Sequence, residues 1–192
     1  MNDDAMGRFP VPDREDLPED IRERIDEETE QAGFTPNVFA AFAYKPSHFR
    51  AFLAYHDALT EDTPLAREEV EMLVVTVSGI NDCLYCVVAH GALLRIFADA
   101  PKLADQLATN HRLAELSEPH RAMLDFAAKL TETPGTVDDT DLEALRAAGF
   151  SEAEIWDIAS VVSLFNLSNR MATVADMRPN DAFYTMGRGD GA

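Results

Sequence analysis

The sequence has little of what marks a secreted or membrane-bound protein. Only two cysteines occur in 192 residues, and the N-terminal stretch MNDDAMGRFPVPDREDLPED is acidic, without the basic start and apolar core of a signal peptide. No uninterrupted apolar run approaches the roughly 20 residues of a membrane span. We therefore expect a cytoplasmic protein. A reducing compartment keeps thiols free, so a pair of cysteines is more often catalytic or metal-binding than a structural disulfide.

Basic residues are also scarce. Thirteen arginines and three lysines stand against 35 acidic residues, which gives a formal net charge of -19. Such a surface repels phosphate backbones and anionic lipids, so we expect neither nucleic acid nor membrane as a partner. The acidic residues are spread over the whole chain. This distribution favours a protein adapted to high salt, where dissolved ions screen the repulsion between like charges.

Strand signals, internal repeats and Gly/Ser linkers are nearly absent, whereas helix signals cover most of the chain. The run Val74 to Val77 has strand propensity, but capping residues precede it and no second strand-like segment could pair with it, so we predict a buried helix. Ser151 and Glu154 form a capping box that predicts a long helix over residues 152–175. That helix is apolar on almost every side, so neighbours in its own domain or in another subunit should enclose it.

The domain organisation follows from these signals. Nearly half of the residues are apolar, and the chain is long enough for one domain with a substantial core. We predict a single all-α domain of about eight helices over residues 17–180. The acidic segment 1–16 and the Gly-rich end 181–192 should form flexible tails.

Both cysteines lie in one short segment, SGINDCLYCVVAHGALLR, which spans residues 78–95. Asn81 or Asp82 is a suitable N-cap, so Cys83 should fall at the start of a helix, where backbone N–H groups favour a negative charge. At about 100° per residue, Cys83, Cys86 and His90 lie within about 60° of one another. The two thiols and the imidazole should therefore share one face of the helix.

This face continues through Leu94 and Phe97, which should point into the core and leave the thiols at the bottom of a pocket. Only a thiolate attacks, and a free thiol with a pKa of about 8.5 is mostly protonated at neutral pH. His90, one turn beyond Cys86, is placed to take its proton, which makes Cys86 the better candidate nucleophile. Cys83 could then attack a Cys86 sulfenic acid and close a disulfide, which an external reductant must reopen.

An acid twelve positions before the first cysteine completes the pattern. Glu71 could return over the motif in an antiparallel helix pair and relay the proton of His90. The segment EMLVVTVSGINDCLYCVVAH resembles the signature of alkylhydroperoxidase D and its relatives in the carboxymuconolactone decarboxylase-like superfamily. VSGINDCLYCVVAH and the later FNLSNRMA resemble in particular the branch of uncharacterised peroxidase-related proteins. The likeness extends over roughly residues 15–180, and the motif region carries most of its specificity.

The resemblance implies an all-helical fold that assembles into trimers or hexamers, and an antioxidant peroxidase activity. It implies Cys86 as the peroxide-attacking thiolate, Cys83 as the resolving thiol, His90 as the base and Glu71 as the relay acid. The implied partners are a peroxide substrate, a dithiol or protein reductant, and further copies of the chain in a trimer, hexamer or dimer. No metal, flavin or haem is implied.

One position departs from the family. Tyr85 stands where alkylhydroperoxidase D has a second histidine, and tyrosine is a poor base near neutral pH because its pKa is about 10. A relay element is therefore missing, and Tyr85 either lines the substrate pocket or serves only in packing. The decarboxylase branch fits less well, because it does without the cysteine pair.

Other interpretations of the same residues remain open. The two cysteines could be a non-enzymatic redox sensor, a thiol–disulfide oxidoreductase with little peroxidase activity, half of a zinc site, or buried packing. Glu71 could be a solvated charge that pairs with Arg67 one turn earlier. On the long helix, Asn166 or Asn169 could supply a polar contact in the pocket or across a subunit boundary.

Overall fold

The computed structural model describes residues 4–188, and helices make up most of that range. The bounds are α1 Glu19–Ala32, α2 Asn37–Phe42, α3 Pro46–Glu61, α4 Arg67–Ile80, α5 Leu84–Phe97, α6 Leu103–Asn110, α7 Glu118–Glu132, α8 Asp139–Ala147, α9 Glu152–Ala175 and α10 Asp181–Thr185. Eight of these ten helices have seven residues or more, so the prediction of an all-α domain with about eight helices is confirmed. No helix in the described range is long and apolar enough to cross a membrane.

The ends of α9 show how local sequence sets the helix boundaries. The Ser151 hydroxyl accepts the Glu154 N–H at 3.3 Å, and the Glu154 carboxylate accepts the Ser151 N–H at 2.6 Å, which is the predicted capping box. The helix ends at Asp176, whose φ of 51° is left-handed. The short helices α6 and α10 were not anticipated, because their segments carry weak start signals.

Helix α4 lies at the centre of the fold. Positions 70–78 are buried without interruption, and the helix packs against α5, α6, α7 and α9. The buried helix predicted for Val74 to Val77 is therefore confirmed, since contacts on all sides outweigh strand propensity. At the end of α4, a side chain on Gly79 would collide with the Ala108 carbonyl of α6. Glycine at this position allows α6 to support the turn that leads to the cysteines.

Segments at both ends of the chain are attached to the domain. Met6 forms an isolated antiparallel bridge with Met177, and Ala5 and Met6 are buried. Near the other end, the Arg95 guanidinium donates to the carbonyls of Phe183 and Met186, each at 2.9 Å. The tails expected over residues 1–16 and 181–192 are thus fixed at residues 5–8 and 181–186, because apolar side chains in these polar segments reach the core. Residues 1–3 and 189–192 lie outside the described range.

Candidate functional site

The two cysteines follow a tight turn between α4 and α5. The Cys83 N–H donates to the Ser78 carbonyl at 2.9 Å, and Asp82 holds a left-handed φ of 52°. Cys83 itself is the N-cap of α5, and its carbonyl accepts the Val87 N–H at 3.0 Å. The N-cap expected at Asn81 or Asp82 is therefore wrong by one or two residues, because the turn between α4 and α5 includes both of them. Cys83 still lies where the first N–H groups of a helix point.

Both thiols are free and buried, each with 2% of its surface exposed. They hydrogen-bond to each other, which lowers the pKa of the Cys83 thiol, and the Cys86 and Tyr85 backbone N–H groups lower it further. The same thiol pair, together with burial, raises the pKa of Cys86 well above its ordinary value. The two thiols therefore form one hydrogen-bonded pair.

Helix α9 supplies the polar groups that face the thiols. The Asn169 amide hydrogen-bonds both sulfurs, and the Ser168 hydroxyl bonds Cys86; these contacts favour the thiolate forms. Asn169 is itself fixed, because its Nδ2 donates to Ser78 Oγ at 3.0 Å and its Oδ1 accepts from Asn81 Nδ2 at 3.0 Å. One asparagine thus connects the end of α4, the cysteine turn and α9. The sequence indicated Asn166 or Asn169 for such a contact but did not single out Ser168 or Ser78.

Glu71 and His90 meet because α4 and α5 form an antiparallel pair. His90 Nδ1 lies 2.8 Å from Glu71 Oε2, and Arg67 Nη2 lies 3.1 Å from Glu71 Oε1. Glu71 is 1% exposed, so it is no solvated surface charge, although the pairing with Arg67 is present.

The Arg67 guanidinium lies over the Phe97 ring, 5.2 Å from its centroid. Phe97 is 44% exposed, and its expected place in the core is wrong because the end of α5 lies at the surface.

The imidazole of His90 is held by Glu71 through Nδ1. With the Glu71 carboxylate as acceptor, Nδ1 carries the proton and Nε2 is the nitrogen left to act as a base. The groups that hydrogen-bond Cys86 are Cys83, Asn169 and Ser168. The structure thus places His90 one turn beyond Cys86, as the spacing requires, and the proton transfer between them stays a prediction.

A second histidine lies near this pair, and sequence spacing did not reveal it. His56 of α3 and His90 both contact the Phe165 ring, with centroid distances of 6.4 and 4.8 Å. Burial lowers the pKa of His56, although its Nδ1 lies 3.2 Å from Asp57 Oδ1. An uncharged His56 adds no positive charge beside the Glu71–His90 pair.

Tyr85 is buried, and its hydroxyl accepts the Val38 N–H of α2 at 3.1 Å. Burial raises the pKa of this phenol, so it stays protonated at neutral pH. Tyr85 also lines the cavity described next, and its expected role in a substrate pocket stays a prediction. It ties α2 to the first turn of α5 and does not serve as a base.

A cavity of about 520 Å³ opens at the N-terminus of α5. Of the two cysteines, Cys83 lines it, together with the exposed Leu84. The far wall comes from the end of α9 and from the terminal segments that pack there: Arg8, Ala172, Thr173, Asp176, Met177, Arg178, Pro179, Asp181 and Tyr184. The two terminal segments expected to be mobile thus complete the chamber around Cys83.

A metal site was one of the alternatives for the cysteines. Across residues 4–188, no group of three or more His, Cys, Asp or Glu side chains is arranged to hold a metal ion. A structural zinc site requires four ligands. The zinc interpretation therefore has no further protein ligand within this range.

Known proteins resemble this chain in sequence and in structure. The profile of the carboxymuconolactone decarboxylase family matches residues 46–101. The crystal structure of an alkylhydroperoxidase AhpD core, an uncharacterised peroxidase-related protein from Ralstonia eutropha JMP134, shares 52% identity at a TM-score of 0.93, covering 95% of this chain and 97% of that chain. An uncharacterised peroxidase-related protein from Silicibacter sp. TM1040 shares 38% identity at a TM-score of 0.89, covering 96% of each chain. A search of curated proteins gives no match.

A more distant structure has a different chemistry. The debrominase Bmp8 in complex with 2,3,4-tribromopyrrole has a TM-score of 0.77 and 18% identity, covering 97% of this chain and 96% of that chain, which shows the fold alone. The two peroxidase-related structures have enough identity and coverage to show the family as well as the fold. The chain belongs to the alkylhydroperoxidase D-like proteins of the carboxymuconolactone decarboxylase superfamily, as the cysteine motif predicted.

Proposed function

We propose that this protein is a dithiol peroxidase that reduces hydrogen peroxide or organic hydroperoxides. One observation carries the proposal: two buried thiols, hydrogen-bonded to each other, meet a cavity at Cys83 and lie on the helix that holds the Glu71–His90 pair. Thiols that share a hydrogen bond are close enough to form a disulfide after a small movement. The position of Cys83 at the helix N-terminus favours the thiolate form that attacks peroxides.

The net reaction uses both thiols as a two-electron donor. One thiolate attacks a peroxide oxygen, the O–O bond breaks, and a sulfenic acid and an alcohol (water from hydrogen peroxide) are formed. The second thiol attacks the sulfenic sulfur, a disulfide closes, and water leaves. An external dithiol or protein reductant then restores both thiols. Either cysteine can take the first step in this scheme; family likeness assigns it to Cys86.

The Glu71–His90 pair supports the proton transfers of this cycle. Each sulfur must lose a proton before it attacks, and the departing alkoxide or hydroxide must gain one. His90 Nε2 can accept a proton, and the Glu71 carboxylate, held also by Arg67, stabilises the imidazolium that results. Since Tyr85 is no base, this pair is the proton relay that the α4–α5 hairpin provides.

Catalytic turnover tests the proposal. The reduced protein is given hydrogen peroxide or cumene hydroperoxide with dithiothreitol or dihydrolipoamide, and peroxide loss is followed over many equivalents of protein. We expect sustained turnover that is lost in Cys83→Ser and in Cys86→Ser. Turnover no faster than that of the reductant alone would contradict the proposal.

A redox sensor is the competing function, and the geometry that supports it is the same cysteine turn. Disulfide formation at the start of α5 would alter the cavity wall, where the two terminal segments pack. A sensor would oxidise once and change its assembly or partner binding. Size-exclusion chromatography of the reduced and oxidised protein, compared with turnover, separates the two functions. A debrominase has the same fold, so the fold alone does not determine the substrate.

We also propose that the chain forms a homo-oligomer through α9. Trp156, Leu167, Met171 and Val174 are all exposed, with Trp156 at 75%. At about 100° per residue these four positions lie within about 60° of one another, so they form a stripe on one face of α9 that is apolar except at Ser160 and Ser163. A stripe of this kind on a long helix is best covered by another copy of the same helix. Light scattering of the wild type and of Trp156→Glu tests this, and a monomeric wild type would contradict it.

A further inference from the structure

A second cavity lies between the first half of α3 and the middle of α9. This α3–α9 groove has a volume of about 400 Å³ and, among the described residues, shares no lining residue with the cavity at Cys83. Its floor consists of the stacked rings of Phe42 and Phe52, whose centroids are 4.1 Å apart, and of the buried Leu164. Small-molecule sites are mostly apolar cavities of about 300–1,000 Å³. The groove is therefore large enough for a small organic ligand.

The walls of the groove are apolar along most of their length. Leu167 and Met171 of α9 form one wall, and Ala51 of α3 lies in the other. A smaller hollow of about 80 Å³ shares Phe42 and Met171 with the groove and extends it. An elongated ligand with an apolar body matches this shape, because its binding removes apolar surface from water on both partners.

The charged end of the groove lies where α3 begins. Lys45 is the N-cap of α3 and His48 lies in its first turn, and both residues are exposed. No acidic residue of the described chain lines the groove, although the protein carries 35 acidic residues. Neither Lys45 nor His48 forms an ion pair with a described residue, whereas the nearby Arg50 pairs with Asp20 at 2.6 Å. An ammonium and an imidazole N–H without an acidic partner can bind a carboxylate.

We propose that the α3–α9 groove binds an apolar monocarboxylate such as a fatty acid, with its chain over Phe42 and Phe52 and its carboxylate at Lys45 and His48. Burial of the chain supplies the affinity. The ammonium of Lys45 fixes the direction of the chain and selects carboxylates over neutral amphiphiles. This site goes beyond the proposed peroxidase activity and does not depend on it, because the ligand needs no peroxide group.

The floor of the groove is also in contact with a histidine that can report on a ligand. The Phe52 ring stacks on His56, with 6.3 Å between the centroids, and His56 and His90 both contact the Phe165 ring. His56 thus lies under the floor, where a ligand that moves the Phe52 ring changes the magnetic environment of the imidazole. The NMR signals of His56 should therefore change when the groove is occupied.

The first experiment measures binding of sodium decanoate, below its micelle concentration, by isothermal titration calorimetry. We expect saturable binding of one decanoate per chain. Ala51→Trp should fill the groove and weaken binding at least about tenfold, whereas Ala54→Trp, at an exposed position of the same helix outside the groove, should not. Circular dichroism checks that both variants fold. No saturable binding to the wild type, or equal binding by the two variants, would overturn the proposal.

The second experiment tests the carboxylate end by comparing decanoate with decanol, which has the same chain and no charge. Lys45→Gln should weaken decanoate binding about fivefold, as expected for an exposed ion pair, and leave decanol binding unchanged. Lys102→Gln is the matched control, since Lys102 is exposed and lies outside the groove. Equal weakening for both ligands, or no weakening relative to Lys102→Gln, would overturn the assignment of a carboxylate site.

Two further measurements identify the occupant of the groove. Decanoate should shift the NMR signals of His56 and leave those of His111, which bonds Asp125 of α7, unchanged; a shift of His111 alone would place the ligand elsewhere and overturn the proposal. Leu167 and Met171 also belong to the exposed stripe of α9, so light scattering is needed. If the wild type binds no decanoate and Ala51→Trp changes the molar mass of the assembly, a second copy of the chain fills the groove and the proposal fails.

Discussion

Glu71→Gln offers the clearest physical test of the buried relay. Gln has the same size as Glu, so the change removes one negative charge and leaves the packing intact. Glu71 is 1% exposed and bonds both Arg67 and His90. Removing one partner of a fully buried ion pair costs about 3–5 kcal/mol. Because about a third of the Arg67 side chain is exposed, water recovers part of that loss, and we predict a destabilisation of about 2 kcal/mol.

Urea unfolding at neutral pH measures the effect, with Glu68→Gln as the matched control. Glu68 lies on the same helix, is partly exposed, and undergoes the same change of charge. We predict that Glu68→Gln stays within about 0.5 kcal/mol of the wild type. In thermal unfolding, about 2 kcal/mol corresponds to a Tm lower by about 4–8 °C for a chain of this size. Equal stability of the two variants would refute the idea that an ionised Glu71 holds Arg67 and His90 together.

Four further predictions concern other parts of the molecule. Tyr85→Phe should cost about 1–3 kcal/mol in urea unfolding, because the buried Val38 N–H loses its acceptor, while the exposed Tyr55→Phe should change little; equal effects would contradict this role. Since burial lowers the pKa of His56, the unfolded chain binds that proton more readily, and stability should fall as pH drops below about 6.5. His56→Gln should flatten this pH dependence, and an unchanged slope would speak against it. His90→Gln should slow alkylation of Cys86, because the relay loses its base; an unchanged pH profile of alkylation would remove the base role. Because the net charge is -19, Tm should rise from low to molar salt, and a flat response would remove the high-salt interpretation.

The helices could be predicted well from sequence because their boundaries depend on neighbouring residues. The capping box at Ser151 and Glu154, and the glycine that ends α1 with a φ of 79°, are local signals. The packing of the terminal segments was not predicted, because it depends on residues far away in the sequence. Met6 and Phe183 lie in segments with few apolar residues, and only the folded domain provides the surface that buries them.

Some residues of the candidate site could likewise be predicted from nearby sequence, and others could not. Cys83, Cys86, His90 and Glu71 lie on two consecutive helices, so their spacing and one antiparallel turn were enough to place them together. Asn169 comes from a helix far along the chain, and it was only one of two candidates. His56 and the cavity wall around Cys83 required the tertiary fold. The surroundings of Cys83 also depend on a detail of backbone geometry, the N-cap position of Cys83, which the sequence placed one or two residues earlier.

The peroxidase proposal is tested most directly by a single-turnover measurement on the reduced protein. Hydrogen peroxide or cumene hydroperoxide is mixed with the wild type in a stopped-flow instrument, and free thiols are counted as peroxide disappears. The account predicts the loss of two thiols for each peroxide consumed, at a rate well above that of free cysteine, with a Cys83–Cys86 disulfide in the product. Thiols that oxidise no faster than free cysteine, or a product without that disulfide, would contradict it.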